Sequence, residues 1–224
     1  MKQLAVVLLS GGLDSCVTAA VARRNSDLAL LFLDYGHRTN ARERKAFHDI
    51  ADHYGVPATR RLAAKTDALR RVGGSALTDR NVPVPDAGSD RNDVPVTYVP
   101  FRNALFLSLG ISWAESVGAS SVYLGAVEED SSGYPDCTQA FCDAFAHAVD
   151  TGTRPESRIR VLTPVIHLRK HQIVRLGVEL DAPLHLTWSC YKNSDRACGR
   201  CDSCILRLNA FKASGIPDPV QYES

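Results

Sequence analysis

The part of this sequence best suited to chemistry is the six-residue stretch Ser10-Gly11-Gly12-Leu13-Asp14-Ser15. An unbroken apolar run over 4–9 precedes it, and small residues compatible with a helix follow over 16–24. Two glycines at a strand-to-helix junction let backbone amides converge on an anion, and the helix N-terminus adds about half a positive charge. The stretch therefore predicts a phosphate-binding loop. Simple helix capping by Ser10 or Asp14 is the alternative.

The order of residues in this loop separates it from two common phosphate-binding motifs. It lacks the Gly-Lys-Ser/Thr ending of the Walker loop and the G-x-G-x-x-G spacing of dinucleotide-binding proteins. The pattern S-G-G-x-D-S resembles instead the PP-loop of enzymes that cleave ATP between its α and β phosphates. A carboxylate at Asp14 would repel those phosphates without a cation between them, so we expect ATP to bind with Mg²⁺.

Four cysteines near the C-terminus form a second group of chemically capable residues: Cys190, Cys198, Cys201 and Cys204. Four thiolates at this spacing are typical of tetrahedral Zn²⁺, and sulfur at every position would make the ion structural. The C-x-x-C-x-x-C run also occurs among iron–sulfur ligands, which is the alternative. The remaining cysteines are expected to be packing residues: Cys16, Cys137 and Cys142.

Composition restricts the expected partners and location. The 224 residues are 45% hydrophobic and 23% charged, which is enough for a globular core. A formal net charge of +1 gives no long-range attraction for nucleic acid, so no RNA or DNA partner is expected. No apolar run approaches the roughly 18 residues that cross a bilayer, and no signal-peptide pattern is present. We therefore expect a cytoplasmic protein without a membrane partner.

Alternating strand and helix patterns position the phosphate loop. Apolar runs over 4–9 and 28–33 predict buried strands, and residues 40–54 carry apolar side chains at helical spacing. A short third strand is predicted over about 58–62. This alternation predicts an α/β fold with a Rossmann-like, doubly wound parallel sheet, in which ligands bind at the carboxyl ends of the strands. Ser10 and Asp34 both lie at that edge.

After residue 62 the sequence predicts an irregular segment followed by further helices and strands. Prolines and glycines over 63–99 indicate an irregular lid or wall. A buried helix is predicted over 103–117, with an apolar surface wide enough to contact both the sheet and a second subunit. A strand over 121–124 ends at Gly125, followed by a helix near 138–149, a strand near 159–162 and a helix near 171–180. We divide the chain into a nucleotide-binding domain, 1–186, and a cysteine-bearing segment, 187–224.

Taken together, these motifs resemble the QueC family, the 7-cyano-7-deazaguanine synthases, nearly from end to end. The resemblance is carried by S-G-G-L-D-S at 10–15, L-D-Y-G-H-R at 33–38, V-P-F-R-N at 99–103, E-D-S-S-G-Y-P-D-C at 129–137, W-S-C-Y at 188–191 and C-G-R-C-D-S-C at 198–204. The phosphate loop alone indicates only a PP-loop protein. The S-G-Y-P-D-C segment combined with the four cysteines is far more specific.

The resemblance implies a ligase that converts 7-carboxy-7-deazaguanine, ammonia and ATP to the nitrile on the route to queuosine. Adenylylation turns the carboxylate oxygen into a leaving group, ammonia gives the amide, and a second adenylylation removes the remaining oxygen. AMP and pyrophosphate are the expected by-products. The family also implies an adenine nucleotide alpha hydrolase-like fold, a small zinc-binding C-terminal segment and a homodimer.

The resemblance also implies site residues. The implied nucleotide contacts are Leu8, Leu9, Ser10, Gly11, Gly12, Leu13, Asp14, Ser15, Leu33, Asp34 and Gly125. The implied contacts to the acid are Arg102, Asn103, Asp130, Ser132, Tyr134 and Asp136. Ser10, Asp14, Ser15 and Arg102 would be catalytic. A surface salt bridge is the alternative for Arg102, and a turn-forming role is the alternative for Tyr134.

Histidines are harder to assign. His37 and Arg38 could contact phosphates or simply lead into the next helix. The other three that we considered are expected to be structural: His167, His171 and His185.

Several residues differ from those that we expect at the same positions of the family: Phe101, Thr138 and Asn209-Ala210. A different acid or a reaction that stops at the amide therefore stays open. A PP-loop tRNA-modifying enzyme and a non-catalytic, zinc-bearing nucleotide-binding module are the further alternatives.

Overall fold

The structure is a computed structural model that describes residues 2–88, 94–128 and 133–223. Its centre is a five-stranded, fully parallel sheet in the order β3-β2-β1-β4-β5. The strands are β1 (Gln3–Leu8), β2 (Ser26–Asp34), β3 (Arg61–Lys65), β4 (Ser121–Leu124) and β5 (Arg160–Leu162). The chain adds β2 and β3 on one side of β1 and then β4 and β5 on the other. The predicted doubly wound α/β fold is confirmed, with its switch point between β1 and β4.

Seven α-helices connect and cover the strands in the described ranges. They are α1 (Leu13–Asn25), α2 (Asn40–His53), α3 (Ala68–Val72), α4 (Arg102–Val117), α5 (Gln139–Gly152), α6 (Lys170–Glu179) and α7 (Asp202–Ser214). Single 3₁₀ turns occur at Ala58–Arg60, Pro135–Cys137 and Leu184–Leu186. Within these ranges, no helix has the length and apolar character that a bilayer crossing requires.

Strand β1 is buried on both faces of the sheet, which explains its uninterrupted apolar sequence. Val6 and Leu8 face one side of the sheet and pack in a cluster with Leu107 of α4. Val7 faces the opposite side and packs in a second cluster with Phe47 of α2. A parallel strand covered by helices on both faces must be apolar at every position.

The segment over 63–99 is more regular than its composition indicates. The third strand begins at Arg61 and continues to Lys65, later than predicted, and α3 follows. Arg38 then anchors the next turns, because its guanidinium donates to the carbonyl oxygens of Ala76, Asp79 and Val82 at 2.7, 2.8 and 2.5 Å. The described part of this segment is therefore fastened to the residues that follow β2, and Arg38 is a structural residue.

Helix α7 was not predicted from the sequence. It begins directly after Cys201 and ends before Gly215, which adopts a left-handed conformation with φ of 71°. Its residues Ala210 and Phe211 pack against Ile173 of α6. The four metal-type cysteines belong to the same hydrophobic cluster as β1. The division of the chain at 186/187 stays a prediction, and residues from both parts pack in this cluster.

Candidate active site

A cavity of about 210 Å³ opens where β1, β2 and β4 end. Residues after each of these strands line it, including Ser10, Tyr35 and Gly125. Arg102 enters from the start of α4, and Trp188 enters from the cysteine-bearing segment. This is the switch-point edge of the sheet, where a doubly wound fold places its ligands.

The phosphate loop has the geometry that its glycines predict. Gly11 has a φ of 85°, and a Cβ there would lie 2.6 Å from the carbonyl oxygen of Glu43. A Cβ on Gly125 would lie 2.9 Å from the backbone nitrogen of Ser15. Both glycines therefore permit close packing, Gly11 against α2 and Gly125 between the end of β4 and the start of α1.

The start of α1 keeps its backbone donors available. The N-cap residue is Gly12, and no side chain caps the helix, contrary to the capping alternative. Ser15 instead donates its hydroxyl to the carbonyl oxygen of Gly12 at 3.0 Å, and its Oγ lies 3.1 Å from that of Ser10. Uncapped N–H groups at a helix N-terminus bind anions well, which favours phosphate binding over a simple turn.

The two carboxylate oxygens of Asp14 differ in their hydrogen bonding among the described residues. The ammonium group of Lys170 donates a hydrogen bond to Oδ2 at 2.5 Å. Oδ1 is buried without a hydrogen bond from the described residues. Mg²⁺ prefers such oxygen ligands, so Asp14 fits the predicted cation. Lys170 also lines the cavity but was not predicted, because it is 156 residues distant in sequence and lies in no motif that we recognised.

The end of β2 contributes less directly. Leu33 lines the cavity, whereas the side chain of Asp34 accepts a hydrogen bond from the N–H of Gly36 at 3.1 Å. The carbonyl oxygen of Asp34 accepts from the N–H of Thr66 at 2.8 Å. Asp34 therefore shapes the turn that leads to Tyr35, and its contact with nucleotide stays a prediction.

Arg102 places a guanidinium inside the cavity. Its Nη1 donates to the hydroxyl of Tyr35 at 3.2 Å, and the group lies over the Tyr35 and Phe106 rings at 5.9 and 5.8 Å. Its Nε is buried without a partner, and no carboxylate of the described chain lies within ion-pair distance. A cation in this setting lacks the compensation that buried charges require, which favours an anionic ligand over the salt-bridge alternative.

Tyr35 remains a neutral hydrogen-bonding group beside Arg102. Burial raises the pKa of Tyr35 to about 12, more than the nearby guanidinium lowers it. Its ring also stacks on His37 with the centroids 4.4 Å apart. The hydroxyl therefore positions Arg102 without neutralising it.

The other predicted acid contacts divide into two groups. Asn103 and Tyr134 line the cavity, and Tyr134 donates its hydroxyl to Thr97 at 2.9 Å. Asp136 is 2% exposed and accepts the backbone N–H of Asn103 at 2.8 Å, which holds the start of α4. Asp130 and Ser132 lie outside the described residues.

The four clustered cysteines form a compact, buried group. Their sulfur atoms all lie within 4.8 Å of one another, and those of Cys198 and Cys204 are 3.9 Å apart. Backbone N–H groups of Lys192, Asn193 and Cys198 point at the sulfur of Cys190 at 3.3 to 3.4 Å. Such donors stabilise metal-bound thiolates, so the group can hold a metal ion.

None of the positions that depart from the family pattern lines the described cavity. Phe101 adopts a left-handed φ of 55° and is 64% exposed, with its ring against the edge of Phe141 at 5.9 Å. The hydroxyl of Thr138 caps α5 by accepting the N–H of Phe141 at 3.1 Å. Asn209 is exposed on α7, and Ala210 is buried in its packing.

The doubly wound parallel sheet and its glycine loop define a class by fold, the adenine nucleotide alpha hydrolase-like proteins. The solved structure of an NMN synthetase from Francisella tularensis is similar in fold alone, with a TM-score of 0.50 at 14% identity over 96% of this chain and 78% of that one. Within the class, the family model described as queuosine biosynthesis protein QueC matches residues 4–215. The chain belongs to the QueC family.

Curated relatives are similar over almost their whole length. The 7-cyano-7-deazaguanine synthase of Chlorobium luteolum is 53% identical over 220 residues, which cover 98% of this chain and 96% of the relative. The enzyme of the same name from Acidobacterium capsulatum is 52% identical over 225 residues, which cover 99% and 97%. The family resemblance predicted from the motifs is therefore confirmed.

Proposed function

We propose that this chain is an ATP-dependent ligase that converts 7-carboxy-7-deazaguanine and ammonia to 7-cyano-7-deazaguanine in queuosine biosynthesis. The observation that carries the proposal is one cavity that contains both a PP-loop with uncapped amides and the half-buried Arg102, which has no carboxylate partner among the described residues. The first group suits the phosphates of ATP and the second suits a carboxylate. Adenylylation requires these two anions side by side.

In the first step, the substrate carboxylate attacks the α-phosphorus of ATP and pyrophosphate leaves. The loop amides at the start of α1 hold the departing phosphates, and Lys170 adds positive charge beside Asp14. Asp14 would hold Mg²⁺, which supplies charge neutralisation when bound. Arg102 orients the carboxylate, so catalysis here consists of positioning and charge stabilisation.

The later steps reuse the same groups. Ammonia attacks the acyl carbon, and AMP leaves with the electrons of the C–O bond. The amide oxygen then attacks the α-phosphorus of a second ATP and pyrophosphate leaves. Loss of AMP and of both protons from nitrogen gives the nitrile. A single phosphate loop suffices, because each activation transfers AMP to an oxygen on the same carbon.

The positions of the residues that differ from the family pattern support the choice of acid. Phe101, Thr138 and Ala210 lie outside the described cavity lining, so they leave its chemistry unchanged. This favours the family's acid over a related one. It also favours the full reaction over one that stops at the amide.

The reaction is tested by incubating the protein with ATP, Mg²⁺, ammonium and the acid, and then analysing the products by mass spectrometry. We expect AMP, pyrophosphate and the nitrile, with no AMP when the acid is omitted. An amide end product would support the shorter reaction, and ATP binding without turnover would support the binding-module alternative. Release of γ-phosphate alone would contradict the proposal.

The proposed metal is one structural Zn²⁺ per chain. Thiolates at about 2.3 Å from a tetrahedral ion lie about 3.8 Å from each other. The 3.9 Å between the sulfurs of Cys198 and Cys204 suits that arrangement. An iron–sulfur cubane places its thiolates on different irons and farther apart. Metal analysis of the purified protein distinguishes the two.

We also propose a homodimer, supported by the apolar surface of α4. Leu105 is 36% exposed there and Phe101, just before the helix, is 64% exposed. Sedimentation equilibrium should give twice the chain mass, and Leu105→Glu should reduce it to the monomer mass.

A further inference from the structure

The proposed function needs a third substrate, and the cavity offers one acidic group that the mechanism above does not use. Among the described residues that line it, the carboxylates are those of Asp14 and Glu43. Asp14 is paired with Lys170 beside the phosphate loop. Among the described residues, no lysine or arginine pairs with Glu43, and its Oε2 lies beside the imidazole of His37.

Glu43 is held close to the phosphate loop. It lies in the first turn of α2, where its carbonyl oxygen packs against Gly11. Its Oε1 accepts the hydroxyl of Thr39 at 3.0 Å, and its Oε2 lies 2.9 Å from Nε2 of His37. The side chain is still 16% exposed. Both oxygens are therefore positioned while the carboxylate remains in contact with the cavity.

A line of packed groups joins Glu43 to the proposed carboxylate-binding residue. The ring of His37, whose side chain is 3% exposed, stacks on Tyr35, and the hydroxyl of Tyr35 accepts from Arg102. Contacts through His37 and Tyr35 thus join Glu43 to Arg102, the residue proposed to bind the substrate carboxylate.

We infer that Glu43 is a catalytic residue that binds ammonium and accepts its proton. This inference rests on the proposed function. Ammonia is mainly the cation at neutral pH, and a carboxylate beside aromatic rings is the chemistry that recognises a small cation. His37 is a positioning residue, because its ring nitrogens are buried and it contacts the carboxylate.

The proton balance of the step is complete. Ammonium transfers one proton to the carboxylate of Glu43, and the nitrogen lone pair of the resulting ammonia attacks the acyl carbon. The C–O bond to AMP breaks with its electrons on the AMP oxygen. The nitrogen then loses a second proton to give the neutral amide, so two protons are released for each amide formed.

Two assays separate this role from adenylylation. Exchange of labelled pyrophosphate into ATP needs the acid but no ammonium, whereas amide formation needs both. We expect Glu43→Gln to keep the exchange rate within about twofold and to raise the KM for ammonium about tenfold to hundredfold. Hydroxylamine is uncharged at neutral pH, so hydroxamate formation should change much less than amide formation.

Two further variants serve as controls. Asp49→Asn removes a carboxylate from the same helix, where it pairs with Lys45 at 2.6 Å outside the cavity. It should leave both assays unchanged. Glu43→Asp retains the charge and should restore part of the ammonium affinity that Glu43→Gln loses.

Three results would overturn the inference. They are an unchanged ammonium KM in Glu43→Gln, an equal loss of exchange and amide formation, and an equal loss with hydroxylamine. The second would mean that Glu43 acts only by supporting Gly11. Absence of acid-dependent exchange in the unmodified protein would instead refute the proposed function, and the inference with it.

Discussion

The backbone N–H of Trp188 donates a hydrogen bond to the carbonyl oxygen of Gly11 at 2.9 Å. Gly11 belongs to the phosphate loop, and Trp188 lies two residues before the metal-type Cys190. The indole is 3% exposed, with the guanidinium of Arg42 over its ring at 4.6 Å. The conformation of the loop is therefore tied directly to the cysteine-bearing segment.

This link predicts that metal removal weakens ATP binding as well as stability. Structural zinc contributes roughly 10–16 kcal/mol in small peptides, which is comparable to the whole stability of a domain. We expect chelation under reducing conditions to lower Tm by at least about 10 °C. It should also weaken ATP binding measured by calorimetry, and added Zn²⁺ should restore both the Tm and the ATP affinity. A metal-free protein that binds ATP normally would contradict the coupling.

Gly11 itself should not tolerate a side chain. Gly11→Ala would place a Cβ 2.6 Å from the carbonyl oxygen of Glu43 and would force alanine to a φ of 85°. We expect a loss of about 2–4 kcal/mol in the free energy of unfolding, measured by urea denaturation, together with weaker ATP binding. The control is Gly152→Ala, since nothing lies within 4 Å of a Cβ there and its stability should not fall. Equal stability of the two variants would exclude the close packing.

The loop and the elements around it were predictable because their signals are local. The apolar run of β1, the two glycines of the loop and the spacing of the cysteines each lie within a few neighbouring residues. The roles of Lys170 and Arg38 were not predictable, since their partners lie far away in sequence and are brought close only by the fold. Helix α7 was missed because the segment before it is polar and loop-like.

Asp14→Asn should abolish adenylylation and leave the fold intact. The amide oxygen can still accept the hydrogen bond from Lys170, but the negative charge that would hold Mg²⁺ is lost. We expect acid-dependent pyrophosphate exchange to fall at least about a hundredfold, with an unchanged Tm. Asp27→Asn is the matched control, because that carboxylate is 52% exposed and lies at the opposite edge of the sheet. Normal exchange in Asp14→Asn would remove Asp14 from the mechanism.

The Nε of Arg102 is buried and has no hydrogen-bond partner in the described chain. Because a half-buried cation without a carboxylate partner costs free energy, Arg102→Met should unfold at the same or a higher temperature than the unmodified protein. The same variant should raise the KM for the acid about tenfold to hundredfold and keep ATP affinity within about twofold. Arg102→Lys retains the charge without the planar fork, so its KM for the acid should lie between those of the unmodified protein and Arg102→Met. A fall of several degrees in Tm would mean that the guanidinium stabilises the fold, whereas an unchanged KM would mean that the acid binds elsewhere.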